Sequence, residues 1–570
     1  MESSRESGRR SAGSTHVLFG FQGSPPTLNP EPINGACEVT LKSESKGSHG
    51  LRVYRGRDAV VDCGVSRESN VGVYIWGRAA HPIHSGSDLI DWIGNRAAAG
   101  NWRAYRELVG TFVLILQSPQ TGEIHFVSDA LGVRPFYYTL TPDGVLFGSD
   151  VWHMRGIGPG RVSVSPDAIS TWLAYRFNCT ETSLFNEYKR LPPGSVLTIQ
   201  NGATRTEGYL ERRHPPSIVP VEEVTEAVYA MVDSNVRALS RLASRVVIGL
   251  SGGYDSRLLL GLVRRQQLLD CTAVTVENAT KESVPAELVA RALGVAREKV
   301  KVDGSIWDIY DEPFHFNFDG FPITKQESYQ VAATRPGVPV MSGFLGDRVV
   351  HGLGSTSRGM DETQCSGNLV DSLFERHRNS TFDSYFRGIT DRILARAKQP
   401  LRRAEETASK WGDVFRWADL YYRQRLYIST IFHQHLSFSE ILLPFLSGDL
   451  IEYYLNVHRA SFSRDVYLKI FQDHLPELAA IPHSDDLSST RAASARPASR
   501  RTREFALSVL GAIGTRRFVP EISSRYVVPR LLAAFAFPAR VEYLVIDLYR
   551  VMLLVERLEE HGIEIDWEKF

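Results

Sequence analysis

The apolar run Val246-Val247-Ile248-Gly249-Leu250 stops abruptly at Ser251-Gly252-Gly253-Tyr254-Asp255-Ser256. A bare run of this kind reads as a strand buried on both faces, the situation of a parallel sheet covered by helices. The two glycines take the Cβ atoms out of the turn, so a ligand can come close to the backbone. A helix over Leu258–Arg265 follows. Its positive end and the consecutive N–H groups before it form an anion nest, to which Ser251 and Ser256 add hydroxyl donors. Asp255 suits a phosphate site only with a cation in between, and Mg²⁺ bridging carboxylate and phosphate oxygens supplies one. A plain glycine turn is the alternative. The whole string placed directly after an apolar strand favours the phosphate site.

The surrounding chain continues the alternation. Val221–Ala243 reads as a long helix, Cys271–Val276 as a second strand, Ala286–Leu293 as a helix and Val338–Met341 as a third strand. That order predicts an α/β domain with a parallel sheet. From Leu369 onward the pattern is mostly helical, with a buried helix at Val541–Val555 and a mobile basic loop at Ala492–Arg503. Ahead of the linker Arg212–Ser217 the pattern is β-rich. Short apolar runs recur at Val17–Gly20, Val71–Trp76, Thr111–Leu116, Ile124–Val127, Phe136–Leu140 and Val145–Gly148, and turn residues separate them. Helices are expected there at Leu89–Ala99 and Pro166–Tyr175. With 570 residues the chain exceeds one ordinary core. The expected division is a disordered tail over 1–15, a β-rich domain over 16–212 and an α/β domain over 220–570.

Charge narrows the partners. Lys+Arg and Asp+Glu both number 65, so nothing global attracts nucleic acid or an anionic membrane. No secretory signal opens the chain, and Glu542, Asp547 and Arg550 interrupt its most apolar stretch. The five cysteines are scattered, without a CxxC pair, which fits a reducing cytosol and no zinc site.

A second motif, Val340-Met341-Ser342-Gly343-Phe344-Leu345-Gly346-Asp347, follows the third strand. The first loop resembles that of the ATP pyrophosphatase superfamily. The second is similar to the Ser-Gly-x-Gly-x-Asp element of class B asparagine synthetases and their relatives. The N-terminal half agrees through Gly110-Thr111-Phe112, Ser128–Tyr138, Leu146–Asp150 and Lys189–Gly194, and the C-terminal half through Glu440–Leu446 and Leu475-Pro476. The resemblance spans about residues 16 to 480. It implies a two-domain α/β fold: an N-terminal nucleophile (Ntn) hydrolase-like αββα sandwich, then an adenine nucleotide α-hydrolase-like parallel-sheet domain with a helical C-terminal part. It also implies ATP and Mg²⁺, with the metal on Asp255 and Asp347. Leu250, Ser251, Gly252, Gly253, Asp255, Ser256, Val276, Ser342 and Gly343 are then the nucleotide-binding positions, with Glu282 an acid nearby. Asp347 as a helix cap is the bland alternative.

Departures from the pattern are as informative. The glutaminase thiol of the family stands at position 2, where this chain has Glu2, and its Asn-Gly-Glu glutamine grip corresponds to Trp76-Gly77-Arg78. Asp88 matches a retained position. These changes imply a dead glutaminase half. Phe344 stands where asparagine synthetases carry Glu and β-lactam synthetases Tyr. The family's transition-state lysine matches Arg464, with Lys469 a weaker candidate, and arginine stabilises phosphate charge but is no base at neutral pH. Glu440 is expected in a helix, either as an acid/base group or as an ion-pair partner of Arg425. The expectation is an amide-forming ligase for a small-molecule or peptide carboxylate, related to lasso-peptide cyclases and β-lactam synthetases. Ammonia or a substrate amine is then the nucleophile. Asparagine synthesis from ammonia, a nucleotide-binding pseudoenzyme and a homodimer stay open.

Overall fold

The computed structural model describes residues 18–23, 37–39, 51–55, 59–118, 120–142, 144–157, 161–211, 216–277, 280–301, 316–323, 329–352, 392–400, 414–436, 438–487, 500–514, 527–529, 531–532 and 538–565. Twelve strands come first. They are β1 (Leu18–Gly23), β2 (Cys37–Val39), β3 (Arg52–Arg55), β4 (Val61–Val65), β5 (Gly72–Gly77), β6 (Phe112–Gln117), β7 (Ile124–Ser128), β8 (Tyr137–Thr141), β9 (Gly144–Gly148), β10 (Lys189–Arg190), β11 (Ser195–Gln200) and β12 (Ala203–Gly208). They pair into two six-stranded antiparallel sheets, β10-β8-β9-β1-β3-β2 and β12-β11-β7-β6-β5-β4.

Alternation along β5 explains why the sheets stack. Tyr74 and Trp76 point into the core between the sheets, with Val113, Phe126, Phe136 and Phe147. Val73 and Ile75 point outward, under Leu89, Trp92 and Ile93 of α1 (Gly86–Ala98). Covered on both faces, β5, β6 and β7 are buried along their whole length. The edge strand β12 is exposed and carries Arg205 and Glu207, charges that discourage pairing with another chain. On the outer face of the other sheet lie α2 (Val151–Ile157) and α3 (Pro166–Tyr175). The Ser165 hydroxyl accepts a bond from the Ala168 N–H and Pro166 opens α3, so the helix starts where its sequence caps it.

The second half opens with α4 (Val221–Ser240), β13 (Arg245–Gly249), α5 (Tyr254–Gln266), β14 (Asp270–Glu277), α6 (Thr280–Ala292) and β15 (Arg297–Lys301). With β16 (Val340–Met341) and β17 (Ile441–Leu442) the strands form a parallel sheet in the order β15-β14-β13-β16-β17. The chain therefore runs outward from β13 in one direction, then returns and continues on the other side. Between β13 and β16 lies the topological switch, where the loops at the carboxyl ends of the strands part and leave a crevice. Later helices are α7 (Gly448–Asn456), α8 (Arg464–His474), α9 (Arg500–Gly514) and α10 (Pro538–Glu560). Together, the antiparallel sandwich and the parallel sheet make a two-domain α/β chain.

Two sequence expectations need correction. Glu440 lies in no helix; it precedes β17, and its carbonyl accepts the Val340 N–H at 3.0 Å. Residues 500–503 open α9 rather than closing a loop, while 488–499 lie outside the described residues. The helices α9 and α10 do not cover the parallel sheet. Ala506, Val509, Val545, Leu548 and Met552 pack with Ile169, Trp172 and Leu173 of α3, so the chain's last helices complete the outer layer of the first half. An apolar stripe shows that a helix is buried, not which sheet it covers.

Polar contacts weld the two halves. The Gly110 N–H donates to Leu446 O at 3.0 Å, and Arg103 grips the Glu452 carboxylate with two bonds of 2.8 and 2.7 Å. Arg134 and Glu440, both buried, form an ion pair across the junction. Removing one partner leaves the other charge buried and bare. Arg134→Ala should destabilise the protein by about 3–5 kcal/mol in urea unfolding, whereas Arg134→Met with Glu440→Leu should lose far less. Equal losses in the two proteins would mean that the charge pairing is irrelevant to the junction.

Candidate functional site

The crevice at the carboxyl ends of β13 and β16 is an open cleft of about 850 Å³. Its walls include Ser251, Asp255 and Ser256 from the first loop, and Ser342, Gly343, Phe344 and Asp347 from the second. The geometry depends on two glycines. A Cβ on Gly343 would lie 2.7 Å from the Asp255 Cβ, and one on Gly346 would lie 2.7 Å from the Asp255 Cγ. Only glycine lets the second loop close on Asp255 this tightly. Leu345 between them holds φ at +74°, a conformation that side chains rarely adopt, and it is buried. The strained turn delivers the Asp347 main-chain N–H to the Asp255 carboxylate.

Asp255 is therefore a buried acid facing a second acid. Burial first, and the Asp347 charge second, push its pKa up to about 7, against a hydrogen bond from the Tyr467 hydroxyl to Oδ1 at 2.5 Å. Asp347 is half exposed and has Arg348 at 3.5 Å. Arg348 is drawn more closely to Asp419, at 3.0 Å, so Asp347 stays open toward the cleft. Two acids with a single shared arginine are a favourable place for a cation. Among the described residues no group of three or more His, Cys, Asp or Glu side chains could hold a metal unaided. The pair fits Mg²⁺, which takes one or two carboxylates and completes its shell with phosphate oxygens and water.

The first loop is more self-contained than its sequence suggests. The Ser251 N–H donates to Ser256 Oγ at 3.1 Å, and the Gly253 N–H donates to Ser251 Oγ at 3.2 Å. Gly252 lies under Ser484, whose N–H donates to its carbonyl at 3.2 Å. A Cβ on Gly252 would come within 2.8 Å of the Ser484 Cβ and 3.0 Å of the Glu282 Cα. Gly252 and Gly253 thus seat a neighbouring segment and do not line the cleft. Leu250 is buried, with its N–H given to Val274 O and its carbonyl to the Thr275 hydroxyl. Val276 packs on the Val247 side of the sheet. Both support the loop from beneath.

The three catalytic candidates lie apart. Arg464 opens α8, holds Asp486 with bonds of 3.0 and 2.6 Å, and reaches the Tyr254 hydroxyl, beside the loop rather than in the cleft. Lys469 faces α4, 3.7 Å from Glu222, and so is placed away from the cleft. Glu440 is held by Arg134, not by Arg425, whose bonds go to the carbonyls of Gly132 and Leu191.

Several site residues escaped the sequence reading. Arg348, Arg423, Gln424 and Ile428 line the cleft, the last three carried by or next to a π-helical turn over Asp419–Tyr427. Wide helical turns of this sort gather at functional sites, but no residue pattern announces them. Tyr467 stands one turn beyond Arg464 on α8, a spacing that could have flagged it. Arg257, buried, ties the covering segment down through the carbonyls of Ile481 and Pro482.

In the first half, Trp76 is 1% exposed and fills the core between the sheets, with the Arg134 guanidinium 5.0 Å from its ring. A Cβ on Gly77 would strike Arg134 at 2.5 Å. Asp88 sits exposed in the first turn of α1, 3.3 Å from Arg67. Glu2 lies outside the described residues.

Comparison with known proteins places these features in context. A model of the glutamine amidotransferase domain matches residues 92–210, starting beyond Trp76-Gly77-Arg78. Asparagine synthetase [glutamine-hydrolyzing] 1 of Bacillus subtilis is 25% identical over 175 residues, covering 29% of this chain and 27% of the relative. A putative asparagine synthetase [glutamine-hydrolyzing] 2 of Methanocaldococcus jannaschii is 23% identical over 265 residues, 43% of this chain and 50% of the relative. The chain thus spans from about a quarter to half the length of these curated relatives. Among solved structures, the glutamine phosphoribosylpyrophosphate amidotransferase of B. subtilis aligns at 11% identity and a TM-score of 0.21, over 57% of this chain and 74% of that one. No helix among the described residues is long and apolar enough to cross a membrane.

The raised pKa of Asp255 has a sign that can be checked. The folded form holds the proton more tightly than the unfolded chain, whose value is near 3.8, so its stabilising contribution is full below that value. It is lost as pH rises from about 4 to about 7. Without metal, the protein should lose stability across this window, and Asp255→Asn should flatten the slope. Denaturant unfolding at a series of pH values reads both; an unchanged slope in the variant would contradict the burial of this charge.

Proposed function

The chain is a member of the asparagine synthetase family, at low sequence identity, and we propose that it is an ATP-dependent ligase that activates a carboxylate by adenylylation and passes it to an amine. The observation that carries this reading is the meeting of Asp255 and Asp347 at the switch between β13 and β16. Mg²⁺ bound there would balance the negative charge that the departing pyrophosphate develops. Ser251, Ser256 and Ser342 offer hydroxyls to phosphate oxygens from the cleft wall. Arg348 and Arg423 add positive charge at the same wall. Phe344 and Ile428 supply an apolar surface beside the acids, which suits an acyl group less polar than aspartate.

The amine would come from solution or from the substrate itself. Trp76 occupies the core at the altered glutamine grip, and Arg134 crowds Gly77, which leaves little room for a glutamine side chain between the sheets. The first half then acts as a buttress rather than as an ammonia source. A second reading, binding and adenylylation without amide formation, is favoured by one observation. Glu440, the family-matched acid/base position, is committed to Arg134, and Phe344 can neither donate nor accept a proton.

ATP–pyrophosphate exchange over a panel of carboxylic and peptide acids tests the first step. Wild type should exchange with a subset of apolar acids, and Asp255→Ala and Asp347→Ala should each lose about 100-fold or more. Undiminished exchange in either variant would remove the metal assignment. Where exchange occurs, ammonium or an intramolecular amine should yield amide and glutamine should not. Glutamine-driven product formation would return the amidotransferase activity to the first half.

A further inference from the structure

Where the two halves meet, away from the cleft, they form a second cavity. It is a small, partly open space of about 40 Å³ between the segment 132–137, the β10 arginine and the helical turns around Arg425 and His433. Its wall is cationic: Arg134, Arg190 and Arg425 all line it. Arg134 is neutralised by Glu440, and Arg190 by Asp319 at 2.7 Å. Arg425 is half-buried, and its hydrogen bonds go only to main-chain carbonyls, Gly132 O at 3.4 Å and Leu191 O at 2.9 Å. Asp129, the nearest acid it feels, does not line the cavity and is turned onto the N–H groups of Leu131, Val133 and Arg134. A guanidinium has five N–H groups, so donors are left over.

The other polar groups add to the imbalance. Burial drives the His433 pKa down to about 3, so the ring is neutral. Its Nδ1 accepts the Phe318 N–H at 3.3 Å, which leaves the proton on Nε2 as a further donor. Among the acceptors along the wall, Asp319 Oδ1 makes no hydrogen bond, while Oδ2 takes bonds from Arg190 and from Asn178 at 3.0 Å. A half-buried guanidinium that makes no ion pair and feels the like charge of Arg190 costs free energy, which an anion between the two would offset. Water alone would satisfy the donors but not the charge.

We propose that this cavity is a binding site for a compact monovalent anion, of which chloride is the simplest, held between Arg425 and Arg190 and locking the two halves together. The small volume admits a halide, nitrate or formate and excludes a nucleotide or a phosphorylated metabolite. Because the site lies at the junction and not in the cleft, its occupancy stabilises the assembly of the domains and stands whatever reaction the cleft performs.

Crystals of the whole chain soaked in sodium bromide give the direct test. An anomalous peak in the cavity, beside Arg425 and Arg190, is expected. Ordinary water density there without anomalous signal would overturn the assignment. In solution, replacing gluconate by chloride at constant ionic strength should raise the melting temperature saturably, by about 2 °C or more, since a ligand of the folded state alone stabilises by mass action. Arg425→Met should lose that response whatever its own melting temperature, and Arg425→Lys, which keeps the charge, should retain part of it. The same chloride response in wild type and Arg425→Met would show that the anion acts elsewhere. The bromide experiment needs no variant, so it decides the question even if Arg425→Met fails to fold.

Discussion

Two carboxylates that cannot comfortably both be charged govern this molecule. Asp255 is buried and sits against Asp347 because β13 and β16 are neighbours in the sheet while lying far apart in the chain. Each nearby feature makes sense as a way of holding them. Gly343 and Gly346 permit the approach, Leu345 accepts an unfavourable backbone conformation, and the Tyr467 hydroxyl fixes one oxygen. A site that keeps such a pair stores electrostatic repulsion, and a divalent cation relieves it.

The first half contributes to the second by packing and by charge. Trp76 and Arg134 form a continuous layer from the core of the sandwich to Glu440, immediately before β17, and β17 is the parallel neighbour of β16. The last helices return to the outer layer of the sandwich and close the same unit from the other end.

Much of this was legible in the residues. The bare strand Val246–Leu250 and the string that follows it fixed the parallel sheet and the first loop, since few other contexts favour two glycines and an acid at that place. Asp347 and Ser342 were readable through a second motif in the right order. The rest depended on distance in space. Nothing in the sequence says that Gly252 lies under Ser484, that Arg134 reaches Glu440, or that Lys469 turns toward Glu222. Arg423 and Gln424 were invisible because the π-helical turn that presents them has no sequence signature. The destination of the C-terminal helices was illegible for a related reason: their apolar stripes fit either sheet.

Proton release on binding reaches the central claim most directly. If Asp255 is protonated near neutral pH because it is buried and faces Asp347, binding of Mg²⁺ with pyrophosphate must expel that proton. Calorimetric titrations near pH 6.5, in buffers of differing ionisation enthalpy, measure the number of protons released. The account predicts a substantial fraction of one proton per site for wild type and almost none for Asp255→Asn. Tight binding with no proton release in wild type would contradict it.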